Sequence, residues 1–212
     1  MLNEIMSFSL QFRIYNKDVY QDGYLTSNLQ DQPQMIENTV HTKTENPSVW
    51  VIRFASQVRR RGKVLDLACG SGRNGRWFIK TGHRVTFLDQ DVSALADLKN
   101  NPQADVICSN LETGIPFPIE GQPFDGVLVT NYLQRDILGD ICDAVNIGGL
   151  LLYETFGAGN ESYGRPRNPN FLLKPGELIA TVRAEFNILG YEHGLRRLPS
   201  PAIIQRVAAV KC

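Results

Sequence analysis

The sequence predicts an α/β protein: an open, mostly parallel sheet with helices on both faces, ending on an antiparallel strand. Three observations carry this. Residues 64–75 read as a buried strand that runs straight into a glycine-rich turn and then a helix. Strand-like and helix-like segments then alternate through Val85, Ala94, Val106, Phe124 and Leu150, the pattern of a wound sheet. The chain closes on two apolar runs, 187–193 and 202–211, separated by a turn-rich stretch holding Pro199 and Pro201, which suits an antiparallel ending.

The elements follow in order. Phe8, Leu10, Phe12 and Ile14 alternate with polar residues, the period of a half-buried strand, and residues 16–46 are mostly Asn, Gln, Asp, Thr and Lys. Residues 1–46 are therefore expected to be an extension, partly flexible, and 47–212 the folded domain. Val49, Trp50, Ile52, Phe54, Ala55 and Val58 recur at helical spacing, with Arg59, Arg60 and Arg61 at the cation-favouring end. A helix over 74–81 closed by Gly82 follows the glycine turn, strands are expected at 84–89, 105–110 and 150–156, and residues 122–132 read as a turn leading into a fully buried strand. A short helix is expected from about residue 177 to 186.

Composition narrows the function. The 212 residues and their 42% hydrophobic content suffice for one domain. Lys plus Arg equals Asp plus Glu at 22 each, so no global positive field draws in nucleic acid or an anionic membrane, and a small substrate is favoured. Cys69, Cys108, Cys142 and Cys212 are scattered, which implies reduced thiols and no metal site. The amino-terminal residues lack the basic start and apolar core of a signal peptide, and no run could span a bilayer; a cytoplasmic location is expected.

The glycine turn carries the chemistry. Gly70, Gly72 and Gly75 stand in G-x-G-x-x-G spacing, which lets backbone approach a nucleotide-like ligand. Asp66, four positions before the first glycine, is misplaced for a pyrophosphate, which seeks a helix N-terminus free of negative charge. It is well placed for S-adenosylmethionine (SAM), which offers an ammonium, a sulfonium and a ribose.

In its D-x-A-C-G-S-G form, residues 64–75 resemble the first motif of the class I SAM-dependent methyltransferases, and the resemblance extends over most of residues 48–156. It implies the three-layer, Rossmann-like sheet of that family. It also implies that Asp66, Ala68, Cys69, Gly70, Gly72 and Asn74 surround the cofactor. Asp89, ending the second strand seventeen residues after Gly72, would grip the ribose hydroxyls, with Gln90 on the same edge. Asn110 stands where the family carries an aspartate for the adenine amino group; its carboxamide oxygen still accepts, with Leu111 flanking the ring. Thr130 and Asn131 lie at the carboxyl end of the fourth strand, where ligands bind in open α/β sheets.

The acceptor side is less defined. Asn131-Tyr132-Leu133 lacks the prolines of the nucleic-acid amino-methylating signature, and no Pro-Cys nucleophile stands at this strand. Tyr132 and Arg135 are either substrate contacts or core packing and surface charge. Residues 157–171 form a long Gly-, Pro- and Asn-rich loop, either a substrate lid using Asn160, Arg165 and Arg167 or a structural Ω-loop. If the acceptor must lose a proton, Tyr132 or Glu154 would take it. The Leu-Ala-Cys-Gly-Ser-Gly-Arg-Asn turn is most similar to the tellurite-resistance-type branch, whose members act on small, often soft nucleophiles. The expected function is SAM-dependent methyl transfer to a small molecule; the alternatives are an RNA or protein methyltransferase, or an inactive SAM-binding regulator.

Overall fold

The computed structural model describes residues 46–212 apart from residues 115 and 120; the expected strand over 8–14 and the extension up to residue 45 lie outside it. Seven strands form one sheet: β1 (Lys63–Leu67), β2 (Arg84–Asp89), β3 (Ala104–Cys108), β4 (Phe124–Thr130), β5 (Val145–Phe156), β6 (Phe186–Arg196) and β7 (Ala202–Lys211). Their order is β3-β2-β1-β4-β5-β7-β6, with β1 to β5 parallel and β7 antiparallel to both β5 and β6. The expected antiparallel ending is thus a hairpin.

Alternation sorts the side chains into two cores. Leu65, Leu67, Val127, Val129, Leu151, Tyr153, Val207 and Ala209 point to one face, under helices α3 (Leu138–Asp143) and α4 (Glu177–Val182). Val64, Val85, Phe87, Leu128, Leu150, Leu152 and Ala208 point to the other, under α1 (Val49–Phe54) and α2 (Arg73–Lys80). Both faces are buried, so the central strands carry apolar residues on both sides, with Asp66 in β1 and Glu154 and Thr155 in β5 as buried polar exceptions. Trp50 anchors α1: it is buried, its Nε1–H donates to the Val207 carbonyl at 3.2 Å, and the Arg206 guanidinium lies 4.6 Å from its ring centre. Burying such a ring contributes about 3 kcal/mol.

The helical layers are thinner than the sequence predicts. α1 gives way to a 3-10 turn at Ala55–Gln57, so the three arginines lie beyond the helix and only Arg53 occupies its last turn. A 3-10 turn, Ser93–Leu98, links β2 to β3, and the described part of 109–123 contains turns and no helix. α4 stops at Val182, and Phe186 already belongs to β6. Among the described residues no helix is long and apolar enough to cross a membrane.

Candidate functional site

The carboxyl ends of β1, β2 and β4 open into a cleft that backbone geometry shapes. Gly70 (φ 54°) and Gly72 (φ 71°) take left-handed conformations in the turn. Gly72 opens α2, and at Gly75 an added Cβ would stand 2.3 Å from Phe87 Cε1, so this glycine lets the helix press onto β2. Of the three described non-glycine residues in the left-handed region, Ala68 (φ 50°) and Asn131 (φ 57°) stand at the ends of β1 and β4, and the third, Arg61 (φ 57°), precedes β1. Such conformations cost energy, and they concentrate where ligands are handled. The Asn131 N–H is held by the Glu154 carbonyl at 2.8 Å.

Asp89 braces the turn from the end of β2. Its Oδ2 accepts the Gly70 N–H at 2.7 Å and its Oδ1 accepts the Asp91 N–H at 3.0 Å. The cleft has two lobes that meet at Ala68, Asp89 and Asn131. One, about 210 Å³, is bounded by Gln90, Ser109, Asn110, Leu111, Glu112 and Tyr132. The other, about 490 Å³, is bounded by Cys69, Gly70, Ser71, Arg73, Asp91 and Thr130 among others.

Beneath the turn, Asp66 is buried; its Oδ2 accepts the Gly75 N–H at 2.7 Å and its Oδ1 has no partner. Burial pushes its carboxyl up to about 7, against the opposing pull of the Gly75 N–H and of Arg73. The buried Tyr132 hydroxyl is also unpartnered, and burial, with Glu112 and Asp89 nearby, pushes it up to about 12. Burial likewise raises the Cys69 thiol, with Asp66 and Asp89 adding to it. A cleft lined by the carboxyl groups of Asp89 and Glu112, with Asp66 buried beneath its glycine turn, suits a ligand carrying positive charge and hydroxyl groups. Asp66 and Tyr132 hold hydrogen-bonding capacity that the chain itself does not use.

The structure brings together Ala68, Cys69, Gly70, Asp89, Gln90, Asn110, Leu111, Thr130, Asn131 and Tyr132 along this cleft, with Gly72 in the same turn. Asn110 Oδ1 already accepts the Glu112 N–H at 2.9 Å, closing a local turn. Other expected residues are engaged elsewhere. Asn74 is buried, accepting the Ser48 N–H at 2.9 Å and donating to Thr130 Oγ1 at 3.1 Å, so it fastens α1 to β4.

Glu154, also buried, accepts Ser48 Oγ at 2.9 Å on one oxygen and Arg206 at 3.0 Å on the other. The Arg135 guanidinium makes four bonds, two to Glu177 and one each to the Asn170 and Leu172 carbonyls. Asn160 donates to the Pro166 carbonyl and accepts the Ile203 N–H. Arg165 and Arg167 are exposed on the loop, which supplies no residue to either lobe. A proton acceptor at Tyr132 or Glu154 therefore meets a raised phenol in one case and a carboxylate already bonded on both oxygens in the other.

Ser48, Arg73 and Ser109 were not singled out by sequence reasoning. Arg73 and Ser109 stand directly beside residues that were, Gly72 and Asn110; Ser48 carries no local signal beyond its N-cap position, where it accepts the Trp50 N–H.

Residues 64–149 match a family model described as a methyltransferase domain. TehB from Haemophilus influenzae shares the fold with a TM-score of 0.63 at 19% identity, over 76% of this chain and 61% of that one. Residues 64–149 are thus similar to a methyltransferase domain, within the fold that TehB has. The alignment thus spans less than two thirds of TehB. A TehB-like SAM-dependent methyltransferase from Corynebacterium glutamicum shares the fold with a TM-score of 0.55 at 21% identity, over 77% of this chain and 87% of that one. The Burkholderia thailandensis 1,6-didemethyltoxoflavin-N1-methyltransferase, solved with 1,6-didemethyltoxoflavin and S-adenosylhomocysteine, gives 0.59 at 21% identity, over 76% of each chain. No curated protein matches the sequence.

Proposed function

We propose that the protein is a SAM-dependent methyltransferase acting on a small-molecule acceptor, with residues 47–212 as its catalytic domain. The observation that carries this is Asp89, whose carboxylate closes the left-handed glycine turn at the junction of the two lobes. Each oxygen spends one lone pair on backbone and keeps another for a ribose hydroxyl. Asn110 and Leu111, with the Tyr132 hydroxyl as donor, would hold the base; Ala68, Gly70 and Thr130 would bound the methionine part, with Asp66 supplying negative charge from below. The chemistry that bound SAM supplies is a methyl group activated on a sulfonium, whose sulfur leaves as a neutral thioether.

The chain's part is to position the acceptor in line with that methyl and to exclude water. No step is assigned to a general base, given how Tyr132 and Glu154 are held. The small acceptor is supported by the even charge balance. The relative named for 1,6-didemethyltoxoflavin, which carries that small molecule, supports the same choice. The cytoplasm remains the expected location.

Calorimetric titration with SAM tests the reading, with NAD as the contrast. Micromolar SAM binding is expected, weakened about a hundredfold by Asp89→Ala, which removes charge-assisted bonds and the brace of the turn. Unchanged binding in the variant removes Asp89 from the site. Tight binding with no methyl transferred to any of a panel of metabolites, metalloid oxyanions, RNA and protein would favour a SAM-binding regulator. Transfer confined to RNA or protein would replace the acceptor class alone.

A further inference from the structure

β6 runs parallel to β5, because antiparallel β7 lies between them, so the carboxyl end of β6 shares the sheet edge where the cofactor cleft opens. Arg196 is the last residue of β6. Glu154, Arg206 and Glu192 stand opposite one another across β5, β7 and β6, and Arg196, an even number of residues beyond Glu192, rises on the same face. The acids here are already used. Glu154 accepts from Ser48 and Arg206, and Glu192 accepts from Arg53 at 3.2 Å and from Arg206 at 2.6 Å and 3.0 Å.

Arg196 is left over. Among the described residues it forms no ion pair, and its buried Nε has no hydrogen-bond partner. The charges that bear on it are Glu154, Arg206 and Arg73. Arg73, whose Nη1 is tied to the Asn46 carbonyl at 2.8 Å, also walls the larger lobe of the cleft. A cavity beside Arg196 is bounded by Glu192, Gly194, Ile204 and Arg206. Among the described residues this half-buried guanidinium keeps an unspent donor and forms no ion pair, with a second cation, Arg73, among the charges that bear on it.

We infer that Arg196, with Arg73 in electrostatic reach, forms the subsite that docks the anionic group of the methyl acceptor, a small molecule bearing a carboxylate or a phosphate. The planar guanidinium fork matches either group. Bound there, the acceptor would extend its nucleophilic atom toward Thr130 and Asn131 at the floor of the cleft. This rests on the methyltransferase reading, and it narrows the acceptor from any small molecule to an anionic one.

The test uses the full chain saturated with S-adenosylhomocysteine and titrated calorimetrically with inorganic phosphate and, separately, with acetate. Millimolar binding of at least one anion is expected, weakened about tenfold or more in Arg196→Gln while the affinity for S-adenosylhomocysteine stays within about twofold. Arg196→Lys, which keeps the charge and loses the fork, should give an intermediate loss. The melting temperature of Arg196→Gln should match that of the unsubstituted chain, since the half-buried guanidinium forms no ion pair among the described residues. Two flat anion titrations, or equal binding in the Gln variant, overturn the subsite. A parallel loss of S-adenosylhomocysteine affinity also overturns it, by assigning the guanidinium to the cofactor's carboxylate. Failure of the chain to bind S-adenosylhomocysteine at all shows in the first titration and defeats the methyltransferase reading instead.

Discussion

The cleft over β1, β2 and β4 and the loop over residues 157–176 are both rich in glycine and polar side chains, yet they treat hydrogen bonds in opposite ways. In the loop the bonds close internally. Gly157 bridges to Leu173, Asn160 ties Pro166 to Ile203, Gln205 donates to the Lys174 carbonyl at 2.6 Å, and Arg135 binds two loop carbonyls and Glu177. In the cleft, two buried polar atoms, Asp66 Oδ1 and Tyr132 Oη, stay unpaired, and Ala68 and Asn131 hold left-handed backbone. A segment that satisfies itself needs no ligand; one that keeps costly unpaired groups is organised around something it binds. The loop therefore has the character of a structural Ω-loop, and the cleft that of a binding site.

Arg135→Ala should break this contrast most severely on the structural side. It strands the Glu177 carboxylate, whose bond to Arg135 Nε is 2.6 Å, and leaves the Asn170 and Leu172 carbonyls unpaired. The expected cost is about 3 kcal/mol, read as a lower urea midpoint, with SAM affinity of the folded protein unchanged. A parallel loss of SAM affinity would mean that the loop takes part in the cleft after all. Gly75→Ala comes next. Its Cβ would meet Phe87 Cε1 at 2.3 Å, and α2 must shift, at a cost of about 2 kcal/mol. Because the Gly75 N–H is also the partner of Asp66 Oδ2, this variant should weaken SAM binding as well as stability, coupling in the cleft what stays separate in the loop.

What was legible in the sequence was local. Apolar runs bounded by turn residues and the glycine spacing placed the sheet, its antiparallel ending and the cleft, because each signal is contained within one element. Asp89 and Asn131 could be named since a strand's carboxyl end is fixed once the strand is found. Arg135 and Asn160 were misleading, because their partners lie 42 and 43 residues away in Glu177 and Ile203, and nothing in a loop's composition says whether it satisfies itself. Glu154 illustrates the same limit: its pairing with Arg206 depends on the β5–β7 register, which the chain sets only on folding. Between β3 and β4 the described residues form turns, and Leu111, Phe117 and Ile119 pack against the core from them.

The smallest expected effect concerns Asp66, and it sharpens the contrast because it titrates. Its folded value of about 7 lies above the ordinary 3.8, so between those values the folded chain holds a proton that the unfolded chain has lost. Asp66 therefore favours the fold most below about pH 4, and that contribution declines as pH rises to about 7, then stays level. A ligand that brings positive charge toward Oδ1 reverses the preference and favours the carboxylate. SAM affinity should accordingly rise by several-fold from pH 6 to pH 7.5, and binding below pH 7 should release a fraction of a proton. Calorimetry in two buffers of different ionisation enthalpy reads that proton. In Asp66→Asn the release should vanish and the affinity become level with pH. A pH-independent affinity in the unsubstituted chain would mean that the ligand's charge does not reach Asp66, leaving the aspartate to serve only as the acceptor that starts α2.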